Sequence, residues 1–240
     1  MDSKQNQLKT LYEEIHNCHS CVMMETDKKQ RNIEAIDLEG DVFIISQALA
    51  ESNLCKTGVN FFDELGDLGK TGERLDKFLR KFDRTVSPPV TIRLANGIKI
   101  QPRHSGLKSV YNTEVCQCYP GRLPGNKSDR KPSSIEIRNC HGKRFVEKEI
   151  SLLMPRLLLL MGKSSRDMFF KYYLLRKDYP KKLTDHIEQI ISDGAIPTYN
   201  LFGHSINVMP IIHASPQARG DWNKVMNRKE INELIEIALR

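Results

Sequence analysis

Three short apolar runs, at 41–46, 156–161 and 206–212, constrain this chain more than any other feature in it. Each is dominated by Ile, Val, Leu or Phe, the pattern of a strand buried on both faces of a parallel sheet. A fourth stretch, 110–118, alternates instead and then meets a Pro/Gly turn at Tyr119-Pro120-Gly121. Side chains on a strand change face at every residue, so Asn112, Glu114, Cys116 and Cys118 are expected on one face. Helical spacing fills the intervals. Leu8, Leu11, Tyr12 and Ile15 line one side of 4–16, and Leu75, Phe78, Leu79 and Phe82 fall on one side of a later helix. Further helices are expected from Pro132 (Ile135, Cys140, Phe145, Val146 and Ile150 inward), over 164–175, over 181–191 with Gly194 just past the end, and from Arg228. Strands alternating with helices give an α/β fold: a three-layer sandwich whose short, mostly parallel central sheet is flanked by helices. Residues 84–109 break the rhythm, and Asn96-Gly97 between alternating runs predicts an inserted hairpin there. The 240 residues suffice for one core, so a single domain over 1–240 is expected.

The formal charge of +7 favours a polyanionic partner, nucleic acid first, because neutralising phosphates releases counterions. The amino terminus has no apolar core of the secretory kind, and the run 152–161 falls short of the roughly 20 residues that span a bilayer. The expectation is a cytoplasmic monomer without a membrane segment. In a reducing compartment the six cysteines read as metal ligands before disulfides.

Four of those cysteines stand out: the Cys18-x-x-Cys21 pair, Cys118, and Cys140 on the helix after a loop rich in Gly, Pro, Lys and Arg at 119–131. By spacing alone they fit a structural zinc or an iron–sulphur cluster. Gly162-Lys163-Ser164 follows an apolar strand, but position 157 is leucine where a phosphate-binding loop needs glycine, which excludes a P-loop nucleotide hydrolase. His213 ends a strand next to Ala-Ser-Pro, where an imidazole can donate to an anion or shuttle a proton. Gln47 and Glu114 are expected at other strand ends.

Five motifs in this order resemble the uracil-DNA glycosylase superfamily, specifically its iron–sulphur families four and five. They are the Cys18/Cys21 pair; Ser46-Gln-Ala-Leu-Ala50 followed by Thr57-Gly58-Val-Asn-Phe61; the strand ending at Cys118; the helix from Pro132 to Cys140; and His213-Ala-Ser-Pro216. The resemblance implies a [4Fe-4S] cluster with a structural role, held by Cys18, Cys21, Cys118 and Cys140, with zinc the lesser alternative. It implies a DNA glycosylase that extrudes its target nucleotide, with His213 and Gln47 as catalytic residues and Phe61 stacking on the flipped base. Ser215, Gln217 and Arg219 after the histidine, and Arg122, Lys127, Arg130 and Lys131 on the basic loop, are the expected DNA contacts.

Three departures from those families bear on the substrate. Ala48 stands where the best-known branch carries a water-steering aspartate, leaving His213 as the chief electrostatic catalyst. Ala50 replaces a bulky tyrosine that blocks substituents on C5 of the pyrimidine. Glu114 replaces the asparagine that reads uracil; an ionised carboxylate cannot donate to O4 but can accept from the exocyclic amine of cytosine. These point to a C5-substituted cytosine, as in modified phage DNA, removed by a monofunctional glycosylase that serves defence. Plain uracil as substrate, Asn112 as the reader, and a non-catalytic iron–sulphur DNA-binding module stay open as alternatives.

Overall fold

In the computed structural model, described over residues 3–21, 31–48, 57–104, 106–122, 125 and 129–240, the four strand-like stretches lie side by side in one sheet. Ala50 and Lys127 lie outside the described residues. In chain order the elements are α1 (Lys4–His16), β1 (Val42–Ala48), α2 (Lys70–Leu79), the two-residue strands β2 (Arg84–Thr85), β3 (Ile92–Arg93), β4 (Lys99–Ile100) and β5 (Lys108–Ser109), and β6 (Tyr111–Cys116). Then come α3 (Ser134–Gly142), α4 (Phe145–Leu153), β7 (Leu157–Met161), α5 (Lys163–Tyr172), α6 (Leu183–Asp193), β8 (Thr198–Leu201), β9 (His204–Ile211), α7 (Arg219–Val225) and α8 (Lys229–Leu239).

The main sheet runs β6-β1-β7-β9-β8, parallel except for β8, which pairs antiparallel with β9. Alternation along the strands sends Val42, Ile44, Leu157, Leu159, Met209 and Ile211 into one apolar layer with α2, α6, α7 and α8. Phe43, Ile45, Leu158, Leu160, Ile206 and Val208 enter the other, with α1, α4 and α5. This is the α/β/α sandwich that the apolar runs imply. Each fully buried Leu, Ile or Phe contributes on the order of 1.5–3 kcal/mol, so the doubly covered strands form the rigid frame.

Within 84–109, β2 and β5 pair in parallel, while the expected hairpin is β3–β4, with Ile92 opposite Ile100. Its Asn-Gly is not a two-residue turn: Leu94 N–H reaches Ile98 O at 2.8 Å, leaving three loop residues with Gly97 at φ +85°. Buried Asp76 of α2 ties this segment down. It accepts from Thr85 Oγ1 at 2.6 Å and Val86 N at 3.1 Å, and meets His104 Nε2 at 3.1 Å. The helix expected from Pro132 is two helices. Gly142-Lys143-Arg144 interrupts it, Arg144 adopting φ +58°, and Ile135 is exposed while Ile137 turns inward. The polar strand β8 and the helix α7 are additional to the expected elements.

Candidate active site

Open parallel sheets gather ligands beyond the carboxyl ends of their strands. At that edge lie Glu114 on β6, Ser46 on β1, Gly162 after β7 and His213 after β9. Three strand spacings, about 14 Å, separate the outer two.

His213 is oriented by its own turn. The Ser215 backbone N–H donates to its Nδ1 at 3.1 Å, so in the neutral ring the proton sits on Nε2, which becomes a donor directed away from the turn. The ring keeps solvent contact, yet the protein packed around it disfavours the cation and lowers its pKa below the usual imidazole range. Two residues outside the expected set fix its place. Gly162 has φ +88°, and a Cβ there would stand 3.2 Å from His213 Cδ2 and 3.3 Å from its Cβ. Arg74, on α2, donates to the Ala214 carbonyl at 2.8 Å and also to that of Ser215, clamping the turn. Neither carries a sequence signal. Gly162 resembles part of a phosphate loop, and Arg74 looks like an exposed helix residue.

Glu114 is buried in a polar network on the outer strand. Arg31, also buried, pairs with its carboxylate, donates to the Asn112 carbonyl, and reaches Gln117 Oε1 at 3.0 Å. The guanidinium thereby covers the free edge of β6, and Asn60 Nδ2 adds a second bond to the Asn112 carbonyl at 3.1 Å. Asn112 Nδ2 donates to Glu114 Oε1 at 2.9 Å, while Ser46 Oγ donates to Asn112 Oδ1 at 3.4 Å. Gln117 Nε2 donates to Thr113 Oγ1 at 2.8 Å and to Glu149 at 3.3 Å. Burial pushes the Glu114 carboxyl up to about 7, and Arg31 opposes that rise. Arg31 stays charged, held above its ordinary value by Glu114 in spite of its own burial, so the carboxyl is the member of the pair that titrates.

Phe61 caps the adjoining cleft, together with Arg31, Gly58, Asn60 and Asn112. It is buried, with φ +67°, a left-handed backbone that costs a non-glycine residue energy. Thr57 pins the loop, accepting from Val59 N at 3.0 Å and donating to the Phe62 carbonyl at 3.3 Å. Gly72 lets α2 pass beneath it, since a Cβ there would lie 2.7 Å from that of Phe61. Phe62 is fully buried in the core.

Several expected residues are placed differently. Alternation puts Gln47 on the side of Phe43 and Ile45, opposite Ser46, so its side chain does not share a face with Glu114. Ala48 closes β1 opposite Cys116 and supplies no carboxylate. Arg130 is committed to Glu136, donating to Oε2 at 2.8 Å, and this pairing holds the Glu136 carboxyl down at about 2. The same Glu136 forms a capping box with Ser133 at the start of α3, so Arg130 organises a helix terminus. Arg122 pairs with Asp129, 3.3 Å away. Lys131, Gln217 and Arg219 are exposed, and Ser215 is half-buried.

The cysteines gather on the α1/α4 side of the sheet. β6 stops at Cys116, so Cys118 lies past the strand, and both thiols pack with Cys140 in the apolar layer away from Ser46 and Asn60. Cys18 and Cys21 follow α1 and pack against the same layer. Burial raises the Cys21 thiol, and the neighbouring Cys140 and Cys18 raise it further. Cys116 is raised first by its hydrogen bond to Cys140 and then by burial, with Cys118 adding to the effect. The Gln117 backbone N–H points at Cys140 Sγ, 3.3 Å away. The Tyr173 hydroxyl, buried without a hydrogen-bond partner among the described residues, lies in the field of Cys140 and Cys116. Among the described residues no three His, Cys, Asp or Glu side chains are tight enough to grip a single ion. Thiols from three segments thus border one part of this layer, with the Gln117 N–H and the Tyr173 hydroxyl beside them, a donor set of the kind that thiolate-bound metal groups use.

No helix among the described residues is long and apolar enough to cross a membrane. A search of curated proteins finds no match. A model of the family described as the Uracil DNA glycosylase superfamily matches residues 34–236, a span that begins beyond Cys18 and Cys21 and takes in every strand. With the sheet, the turn carrying His213 and the strand carrying Glu114 all inside that match, the chain belongs to the uracil-DNA glycosylase superfamily of DNA-binding, base-excising hydrolases.

Proposed function

We propose that the protein extrudes a cytosine-type nucleotide carrying a C5 substituent from DNA and hydrolyses its N-glycosidic bond, leaving an abasic site. The observation that carries the reading is the Glu114 carboxylate, paired with Arg31, on the strand where the resembling families carry an asparagine. As a carboxylate it accepts from an exocyclic amine and repels a carbonyl oxygen, which favours cytosine over uracil. Room for a C5 substituent is the expectation attached to Ala50.

The chemistry asks little of the protein beyond electrostatics. The bond from C1′ to the base nitrogen breaks with its electrons leaving on the base, and the sugar becomes oxocarbenium-like. Water then adds at C1′, and the proton it sheds is matched by one taken up by the released base anion. His213, neutral with its proton on Nε2, donates to the pyrimidine O2 as negative charge develops there, which stabilises the departing base. Phe61 presents a flat face to the base. With water as the nucleophile, the step needs no Schiff base and the activity is monofunctional. Cys18, Cys21, Cys118 and Cys140 would hold a [4Fe-4S] cluster, whose contribution is to brace the end of β6. A protein that removes substituted cytosines acts on foreign modified DNA, a defence role.

The test is His213→Ala. Loss of excision with DNA binding retained supports the assignment. An intact protein that binds DNA but excises no base would make it a binding module instead.

A further inference from the structure

We propose that Arg31 is the specificity-determining residue of this site: by holding Glu114 as a carboxylate it selects pyrimidines with an exocyclic amine, and its loss opens the site to uracil. The inference rests on Glu114 being the base-reading group.

Arg31 meets the segment that carries Glu114 at three residues. One guanidinium nitrogen is shared between Glu114 and Gln117, and a second holds the Asn112 carbonyl, so the side chain is locked against the reading strand. It is 8% exposed and lies over the Tyr12 and Tyr111 rings, 5.6 and 5.8 Å from their centroids. The groups facing Glu114 are Arg31, Glu149 from α4, Tyr12 from α1, and the neutral amides of Asn112 and Gln117. Arg31 supplies the cation in this set, while Glu149 and burial both favour a proton on Glu114.

The two protonation states read different bases. A carboxylate only accepts, so it suits the N4 amine of cytosine. A carboxylic acid donates through O–H and accepts through C=O, which is what an asparagine amide offers to uracil O4 and N3–H. Arg31 therefore sets whether the pocket is of cytosine type or of uracil type by the state in which it holds Glu114. Its action is through Glu114, which makes it a positioning residue.

The experiment scores abasic sites in duplexes bearing one C5-substituted cytosine or one uracil, at about pH 8 and about pH 6, where Glu114 passes from mostly ionised to mostly protonated. Wild type, Arg31→Met and Arg31→Lys are compared. Isotope-edited infrared spectra of the Glu carboxyls, with Glu114→Gln for assignment, report the protonation state independently of activity. Wild type and Arg31→Lys should favour the substituted cytosine at the higher pH and show ionised Glu114. Arg31→Met should move the ratio toward uracil by on the order of 10- to 100-fold, the worth of one bidentate contact, and show a protonated acid. Wild type alone should drift the same way as pH falls, which covers a variant that does not fold. An unchanged ratio with Glu114 still ionised in folded Arg31→Met overturns the role of Arg31. Wild type that prefers uracil while Glu114 is demonstrably ionised overturns the base reading instead. A protonated Glu114 in wild type at the higher pH overturns both.

Discussion

Gly162→Ala is the substitution whose consequences can be worked furthest. Gly162 has φ +88° and ψ 163°, a backbone region essentially reserved for glycine, and a side chain there costs about 1–3 kcal/mol in strain. For a chain of this size, about 2 kcal/mol corresponds to a Tm lowered by roughly 4–8 °C. The added methyl would also stand 3.2 Å from His213 Cδ2, closer than ordinary contact, so the imidazole must give way by a few tenths of an ångström. Misplacing a catalytic group by about 1 Å can cost roughly 100-fold, so a loss on the order of tenfold in kcat is expected. Gly194→Ala is the control. Gly194 ends α6 at φ +69° with open space around its Cβ position, so alanine there should cost about 1 kcal/mol and leave excision unchanged. Urea denaturation and single-turnover excision on the same preparations separate the two effects. If folded Gly162→Ala excises as fast as the Gly194→Ala control, His213 is not positioned as described.

Three further outcomes follow from the same contacts. Arg74→Met should slow excision severalfold with little change in DNA affinity, because it frees the Ala214 and Ser215 carbonyls that fix the histidine turn; a KM effect alone would contradict this. With Glu114→Gln, which removes the Glu114 transition near 7, the pH profile should be level above the free imidazole value of about 6.5 and fall as pH drops through the lowered pKa of His213, since its neutral form is the one in place; a rate in that variant that rises on acidification would contradict a neutral donor. The Glu136 carboxyl is held at about 2, so its contribution to stability is full above its unfolded value of about 4.3 and is lost as pH falls from there; Arg130→Met should flatten that dependence in acid denaturation, while Ser133→Ala should cost about 1 kcal/mol at neutral pH.

The sheet was legible because its signal is local. Leu157-Leu-Leu-Leu160 is buried on both faces and reads as a parallel strand from its own residues. β8 was not, because Thr198-Tyr-Asn-Leu201 is a half-exposed edge strand, and its turn puts Phe202 at φ +55° where a reader looks for Asn or Gly. At the site, His213 declares itself by following an apolar strand. Arg31 does not: it belongs to no periodic segment, and its meaning arises only when folding brings it against a strand 81 positions away. Glu114 is intermediate. Its identity flagged a departure from the family pattern, but its pairing with Arg31 and Asn112 is a tertiary fact. Strict alternation along 110–118 breaks at Cys116, which ends β6 in the layer of Tyr111 and Val115, so neither Cys116 nor Cys118 shares a face with Glu114.

The proposed excision of a substituted cytosine rests on Glu114 and His213 acting at one site. The most direct measurement is a panel of duplexes, each with one altered base, incubated with purified protein and scored for abasic sites. The expected result is abasic sites at C5-substituted cytosines, with unmodified cytosine untouched and uracil removed slowly or not at all. Rapid removal of uracil with substituted cytosines left intact would contradict it.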